Sequence, residues 1–117
     1  MSIAILLPFK ENYSSNQAGA VSLFINDINK KSKFKRRTKI YGSTNDKNYL
    51  SDNYININIQ KNFFKSSNIS YVKEFLNIID KDKTEIIEVH NRPAYIKYIK
   101  KKFFKTTFFF FHNDPLT

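Results

Sequence analysis

Two histidines occur in this chain of 117 residues, and both stand at the same kind of junction. The apolar run Ile86-Ile87-Glu88-Val89 leads into His90-Asn91-Arg92-Pro93, and Phe108 through Phe111 leads into His112-Asn113-Asp114-Pro115. An imidazole near neutral pH can donate or accept a hydrogen bond, so either side chain suits a hydroxyl-rich or phosphorylated ligand. A lone strand-end histidine is commonly structural, but the repeated setting points to one shared site. Asp114 is the obvious third group if the two histidines held a metal, yet no ligand spacing here matches a zinc or iron pattern. No metal or organic cofactor is therefore expected. Arg92 is placed to pair with an anionic ligand or simply to stand exposed beside the proline turn.

Short runs that are apolar at nearly every position read as strands covered on both faces, the habit of parallel sheets. Ile3 to Leu7, closed by Pro8, is such a run, and so are about Glu85 to Val89 and Thr106 to Phe111. Lys39 to Ser43 reads as a further strand, stopped by Gly42 and the turn-rich stretch from Ser43 to Asn48. Tyr54 to Ile59 alternates, with Ile55, Ile57 and Ile59 on one side and Asn56 and Asn58 on the other, as an edge strand with one wet face would. Between these lie helical patterns. Asn16 can cap a helix whose inner face is Ala18, Val21, Phe24 or Ile25, and Ile28, ending near Lys31. A second helix is expected from about Ser70, as its cap, to Lys81, with Tyr71 or Val72, Phe75, Leu76 and Ile79 inward. A third starts just after Asn91 with Pro93 in its first turn, turns Tyr95 or Ile96 and Ile99 inward, and closes at Lys100 to Lys102.

This order predicts an α/β fold, the front of a Rossmann-like doubly wound parallel sheet. With the common strand order three-two-one-four-five, the loop before Gly19, the turn from His90 to Pro93 and the segment from His112 onward share one sheet edge. At Gln17-Ala18-Gly19-Ala20 a helix N-terminus offers free N–H groups and a positive dipole end to a phosphate or carboxylate. The three-glycine dinucleotide fingerprint is missing after the first strand, and so is the Gly-Lys-Ser or Gly-Lys-Thr phosphate loop. Rossmann oxidoreductases and P-loop nucleotidases are thereby set aside.

Composition narrows the class further. One domain fits the length, burying roughly two thirds of the surface of the unfolded chain. Hydrophobic residues make up 41%, with twelve Phe and seven Tyr to fill a core, so disorder is not expected. The absence of cysteine excludes disulfides, thiolate metal sites and a Cys nucleophile, and fits a reducing compartment. No apolar run approaches a membrane span, and Met1 to Pro8 has neither the charged start nor the length of a signal peptide, so a cytoplasmic chain is expected. The net charge of +10 is concentrated at Lys30, Lys31, Lys33, Lys35, Arg36, Arg37 and Lys39, with Phe34 among them. Three readings apply to this cluster: a solvated helix end favoured by the dipole, a contact with anionic lipid at the inner membrane through Lys35, Arg36 and Arg37, and a contact with nucleic acid phosphates.

The chain resembles the start of a family 4 glycosyltransferase of the GT-B class over its whole length. The likeness runs from Ala4-Ile5-Leu6-Leu7-Pro8 through Gln17-Ala18-Gly19-Ala20 and is most specific at Glu88-Val89-His90-Asn91-Arg92-Pro93 and Phe111-His112-Asn113-Asp114-Pro115. The His-Asn-Arg-Pro turn is similar to that of a subgroup acting on cell-envelope polysaccharide or lipopolysaccharide. The resemblance implies two facing Rossmann-like domains and transfer of a sugar from a nucleotide-sugar donor to a glycan or lipid-linked acceptor, with retention of configuration. It implies that residues 1–117 form the first part of the acceptor-side domain. The donor-binding domain with its paired glutamates would be absent, so the polypeptide alone is expected to be inactive. His112 matches the histidine that faces the transferred sugar and is the catalytic candidate. Gly19 matches the second glycine of the donor-diphosphate loop, with Ala18 where the first is usual. Substrate contacts are expected from Gly19, His90, Asn91, Arg92 and Asn113. Two alternatives remain beside it: a small basic nucleic-acid-binding module, which lacks any RNA-recognition signature of interleaved glycine and aromatic residues, and a remnant without function, betrayed by an open sheet edge beyond Phe108 to Phe111.

Overall fold

The computed structural model describes residues 2–59, 67–81, 83–102 and 106–110. Strand β1 (Ile3–Leu6) is followed by helix α1 (Ala20–Lys31), a short 3-10 turn at Lys35–Arg37, strand β2 (Thr38–Gly42) and strand β3 (Tyr54–Asn56). Helix α2 (Ser67–Lys81), strand β4 (Ile86–His90), helix α3 (Ala94–Lys102) and strand β5 (Thr106–Phe110) complete the order. The five strands form one sheet in the order β3-β2-β1-β4-β5, every neighbouring pair parallel. The fold is thus α/β with helices flanking a parallel sheet, compatible with a Rossmann-like fold, and the expected strand order is the one observed.

Parallel neighbours need crossovers, and crossovers of one hand leave on opposite faces when the chain reverses its direction across the sheet. Here α1 links β1 to β2 on one face. The chain then returns across the sheet, and α2 and α3 lie on the other. Alternation along β1 feeds both layers. Ile3, Ile5 and Leu7 join Val21, Ile25, Ile40, Tyr13 and Tyr54 under α1, while Ala4 and Leu6 join Ile87, Val89, Tyr71, Phe75, Ile79 and Ile99 under α2 and α3. The stripes read for α2 and α3 are the buried ones: Tyr71, Val72, Phe75, Leu76, Ile79, Tyr95 and Ile99 are all in the core.

Several boundaries differ from the sequence pattern. Helix α1 begins at Ala20 with Gly19 as its N-cap, not after Asn16, because residues 15–17 form a turn in which the Gln17 N–H donates to Ser14 Oγ. Helix α2 starts at Ser67 rather than at Ser70. β3 stops at Asn56, although Ile57 and Ile59 still pack with Ile55 on the α2 side. His90 is the last residue of β4 and not the first of the turn. Phe111, at the expected end of β5, lies outside the described residues.

The largest correction concerns the inward face of α1. Val21 and Ile25 are buried as expected, Ile25 rather than its alternative Phe24, but Phe24 and Ile28 are about half exposed, at 46% and 49%, while Ser22, Asn26 and Asn29 are buried. Polar contacts turn the helix this way. Asn29 and Asn53 exchange two amide hydrogen bonds, 3.1 and 2.9 Å, and Asn53 also donates to the Thr38 carbonyl. Asn26 receives the Tyr13 hydroxyl at 3.3 Å. Hydrogen-bonded amides can be buried at little cost, so an apolar-only stripe cannot locate the buried arc. Ile25→Ala should therefore cost about 2–5 kcal/mol, and Phe24→Ala no more than about 1 kcal/mol. Urea unfolding of the two variants tests this, and equal losses would contradict the orientation of α1.

Candidate functional site

The strand order reverses between β1 and β4, and the two loops leaving their carboxyl ends part there. A cavity of about 290 Å³ lies at this place, lined by Pro8, Phe9, Lys10, Glu11, Val21, Asn91 and Arg92. Crevices at such reversals are where open α/β sheets bind ligands. The walls come from three elements: the loop after β1, the first turn of α1, and the turn after β4.

Two tyrosines hold the first loop in place. The Tyr71 hydroxyl, from α2, donates to the Leu7 carbonyl at 2.6 Å. The Tyr95 hydroxyl, from α3, accepts the Phe9 N–H at 3.1 Å and donates to Asn68 Oδ1 at 2.8 Å. Beyond them the backbone turns sharply. Lys10 has φ of 70° and Asn91 has φ of 56°, both in the left-handed region and both on the cavity wall. Asparagine tolerates that conformation, whereas lysine adopts it at a steric cost that the surrounding loop must offset. The Lys10 ammonium rests over the Phe9 ring, 5.6 Å from its centroid.

Glu11 takes the position in which a bound anion would sit. Its Oε1 accepts the N–H groups of Val21 and Ser22 at 3.2 and 3.3 Å, the free donors of the first turn of α1. The helix has no acidic residue in that turn, and Gly19 provides no side-chain cap. A carboxylate from eight residues before the cap thus satisfies the helix dipole. Gly19 matters for space, not for backbone freedom, since its φ of −79° suits any residue. A Cβ there would collide with the Glu11 carboxylate.

The expected site residues therefore divide. Asn91 and Arg92 line the cavity, and Gly19 adjoins it through Glu11. Arg92 is exposed and donates to the Asn91 carbonyl at 3.2 Å. His90 is only 2% exposed and lies on the α1 side of β4, where it and Glu88 border a different hollow with Ile3, Ile5, Phe24 and Ile28. Its Nε2 is 3.7 Å from Glu88 Oε2, too long for a hydrogen bond. The imidazole thus stands beneath the crevice rather than in it. His112 and Asn113 lie outside the described residues. Lys35, Arg36 and Arg37 are exposed at the opposite edge of the sheet, where α1 ends and β2 begins.

Sequence reasoning passed over Lys10 and Glu11. The signal for Glu11 was indirect: a helix start with neither a capping side chain nor an acid of its own must find its anion elsewhere. Nothing in the residue type announces the conformation of Lys10.

Compared with known protein families, with curated proteins and with solved structures, the chain has no match.

Burial holds the hydroxyls of Tyr71 and Tyr95 above their ordinary value of 10.0, and for Tyr95 the Phe9 N–H and the Arg92 charge work against that rise. Tyr13 and Tyr54 are raised by burial as well. Such a group keeps its proton in the native state while the unfolded chain releases it. Its stabilising effect is full below about pH 10 and declines above it, by at most about 1.4 kcal/mol per pH unit for each such tyrosine. Unfolding free energy measured between about pH 9 and 11 should fall accordingly, and Tyr71→Phe should flatten that fall at a cost near 1 kcal/mol at neutral pH. An unchanged pH slope in the variant would show that Tyr71 ionises normally. A second experiment concerns the helix end: Glu11→Ala should lose about 1 kcal/mol of stability and become stabilised by inorganic phosphate at constant ionic strength. Equal stabilisation of the unaltered chain by phosphate would mean that Glu11 does not fill the site.

Proposed function

We propose that this chain forms the acceptor-side part of a glycosyltransferase-like site, in which a sugar passes from a nucleotide-sugar donor to a glycan or lipid-linked acceptor during synthesis of cell-envelope polysaccharide or lipopolysaccharide. The observation that carries this reading is the cavity at the β1 and β4 reversal with Lys10, Glu11, Asn91 and Arg92 on its walls. Those groups suit a hydroxyl-rich, partly anionic ligand. A carboxylate accepts hydroxyl protons, an amide both accepts and donates, and the two cations favour phosphate oxygens.

In such a transfer the acceptor oxygen bonds to the anomeric carbon as the bond from that carbon to the donor diphosphate breaks. The diphosphate leaves with the electron pair, and the acceptor proton passes to a basic oxygen. By resemblance His112 polarises the region near the anomeric carbon, and Asn113 contacts substrate beside it. His90, buried at the end of β4, acts as support for the turn that carries Asn91 and Arg92. At about 290 Å³ the cavity sits at the foot of the usual range for small-molecule sites, about 300–1,000 Å³, and cannot enclose a whole nucleotide sugar. Another wall must hold the donor.

The same reading includes peripheral contact with the inner face of a membrane, where a lipid-linked acceptor resides. Its support is the exposed set Lys35, Arg36 and Arg37, together with the finding that no helix among the described residues is long and apolar enough to cross a membrane.

Amide chemical shifts of the isotope-labelled chain, titrated with uridine diphosphate and with a panel of neutral hexoses and short glycans, provide the test. Shifts should cluster at Lys10, Glu11, Asn91 and Arg92 and weaken in Arg92→Ala, and the isolated polypeptide should transfer no sugar from a radiolabelled nucleotide-sugar panel. Shifts confined to other faces would refute the site. Turnover by the isolated chain would refute the incomplete-site reading.

A further inference from the structure

We infer that the turn joining α1 to β2 docks on an anionic lipid bilayer and sets the Phe34 ring into its headgroup layer. This docking rests on the peripheral contact proposed above and adds to it a face, an inserted residue and an orientation. Phe34 is 45% exposed at the tip of the turn, between Lys33 and Lys35. Its N–H donates to Ser32 Oγ at 3.0 Å and its carbonyl accepts the Thr38 hydroxyl at 2.8 Å, so the backbone beneath the ring is fixed. Lys30, Lys31, Lys33, Lys35, Arg36 and Arg37 are all exposed around it.

The helix dipole accounts for only part of this charge. Lys30 and Lys31 lie in the last turn of α1, where cations are favoured, but Lys33, Lys35, Arg36 and Arg37 lie beyond the helix end. Few acids offset them nearby, with Glu88 on the far wall of the hollow that Phe34 borders. Asp27 pairs with Lys31 at 3.5 Å, and Asp52 borders a shallow depression with Lys35, Arg36 and Lys39. A solvated charged turn also has no need of exposed apolar groups. Here Phe34 is continuous with half-exposed Ile28 and Phe24, which border the same hollow.

Cations around a protruding aromatic, backed by an apolar strip, match a surface that is anionic outside and apolar a few ångströms within. A second copy of the chain would bring like charges together. A nucleic acid could stack on Phe34 but would leave Ile28 in water. The bilayer satisfies both the charge and the strip.

The chain contains no tryptophan, so Phe34→Trp places a single reporter at the contact. Vesicles of phosphatidylcholine alone, or mixed with phosphatidylglycerol, are titrated into this variant at low and at physiological salt, with circular dichroism confirming the fold. Binding should require phosphatidylglycerol, weaken with salt, and shift the emission to the blue. Arg36→Gln with Arg37→Gln should lower partitioning by roughly 25-fold, about five-fold per cation, and Phe34→Ala should lower it several-fold. Binding to anionic vesicles without an emission shift would overturn the docking face while leaving peripheral contact intact. Absence of binding to any vesicle would overturn both. An emission change with a single-stranded oligonucleotide and none with vesicles would replace the bilayer by nucleic acid.

Discussion

β1 lies between β2 and β4, parallel to both, and all four of its residues are buried. That single placement governs the rest. A strand flanked on both sides and covered on both faces must be apolar at every position, and Ile3-Ala4-Ile5-Leu6 is. Since both neighbours are parallel, neither is reached by a hairpin, and a helical crossover departs toward each side of the sheet. The two directions of departure open a crevice above the carboxyl end of β1, and the loop that follows this strand becomes its wall. Tyr71 and Tyr95, donated by the two helices of the opposite face, then hold that loop at Leu7 and Phe9. The core of one layer in this way sets the shape of a cavity on the sheet edge.

Glu11 changes what the helix N-terminus can do. Free N–H groups at the start of α1 favour an anion, and the chain supplies one from its own loop. A diphosphate at that place would have to displace a carboxylate already hydrogen-bonded twice, and to overcome its charge. The remaining cations of the cavity, Lys10 and Arg92, are not engaged in this contact, so phosphate oxygens are better met nearer the turn after β4. The close approach that Gly19 permits therefore serves an internal contact.

The strands, the two layers and the buried stripes of α2 and α3 were legible because each depends on apolar periodicity, which the residue types display directly, whereas the strand order came from the commonest arrangement of such sheets. The orientation of α1 was not. Its buried arc is half polar, and Asn26 and Asn29 are buried only because Asn53 and Tyr13, distant in sequence, complete their hydrogen bonds. The site shows the same division. Asn91 and Arg92 could be placed on the edge from the strand-turn-helix pattern around Pro93, whereas His90, one residue earlier, belongs to β4 and points into a layer. A shift of one residue reverses the face, since alternation has a period of two. Lys10 and Glu11 joined the cavity through a backbone turn that no side-chain pattern encodes.

The crevice and the basic turn lie at opposite ends of the sheet, because α1 begins beside the first and ends at the second. Strands of four or five residues separate them by about 15 Å. The apolar strip of Phe34, Ile28 and Phe24 runs along α1 between them, so a bilayer seated on the whole strip lies along that helix rather than across the end of the sheet.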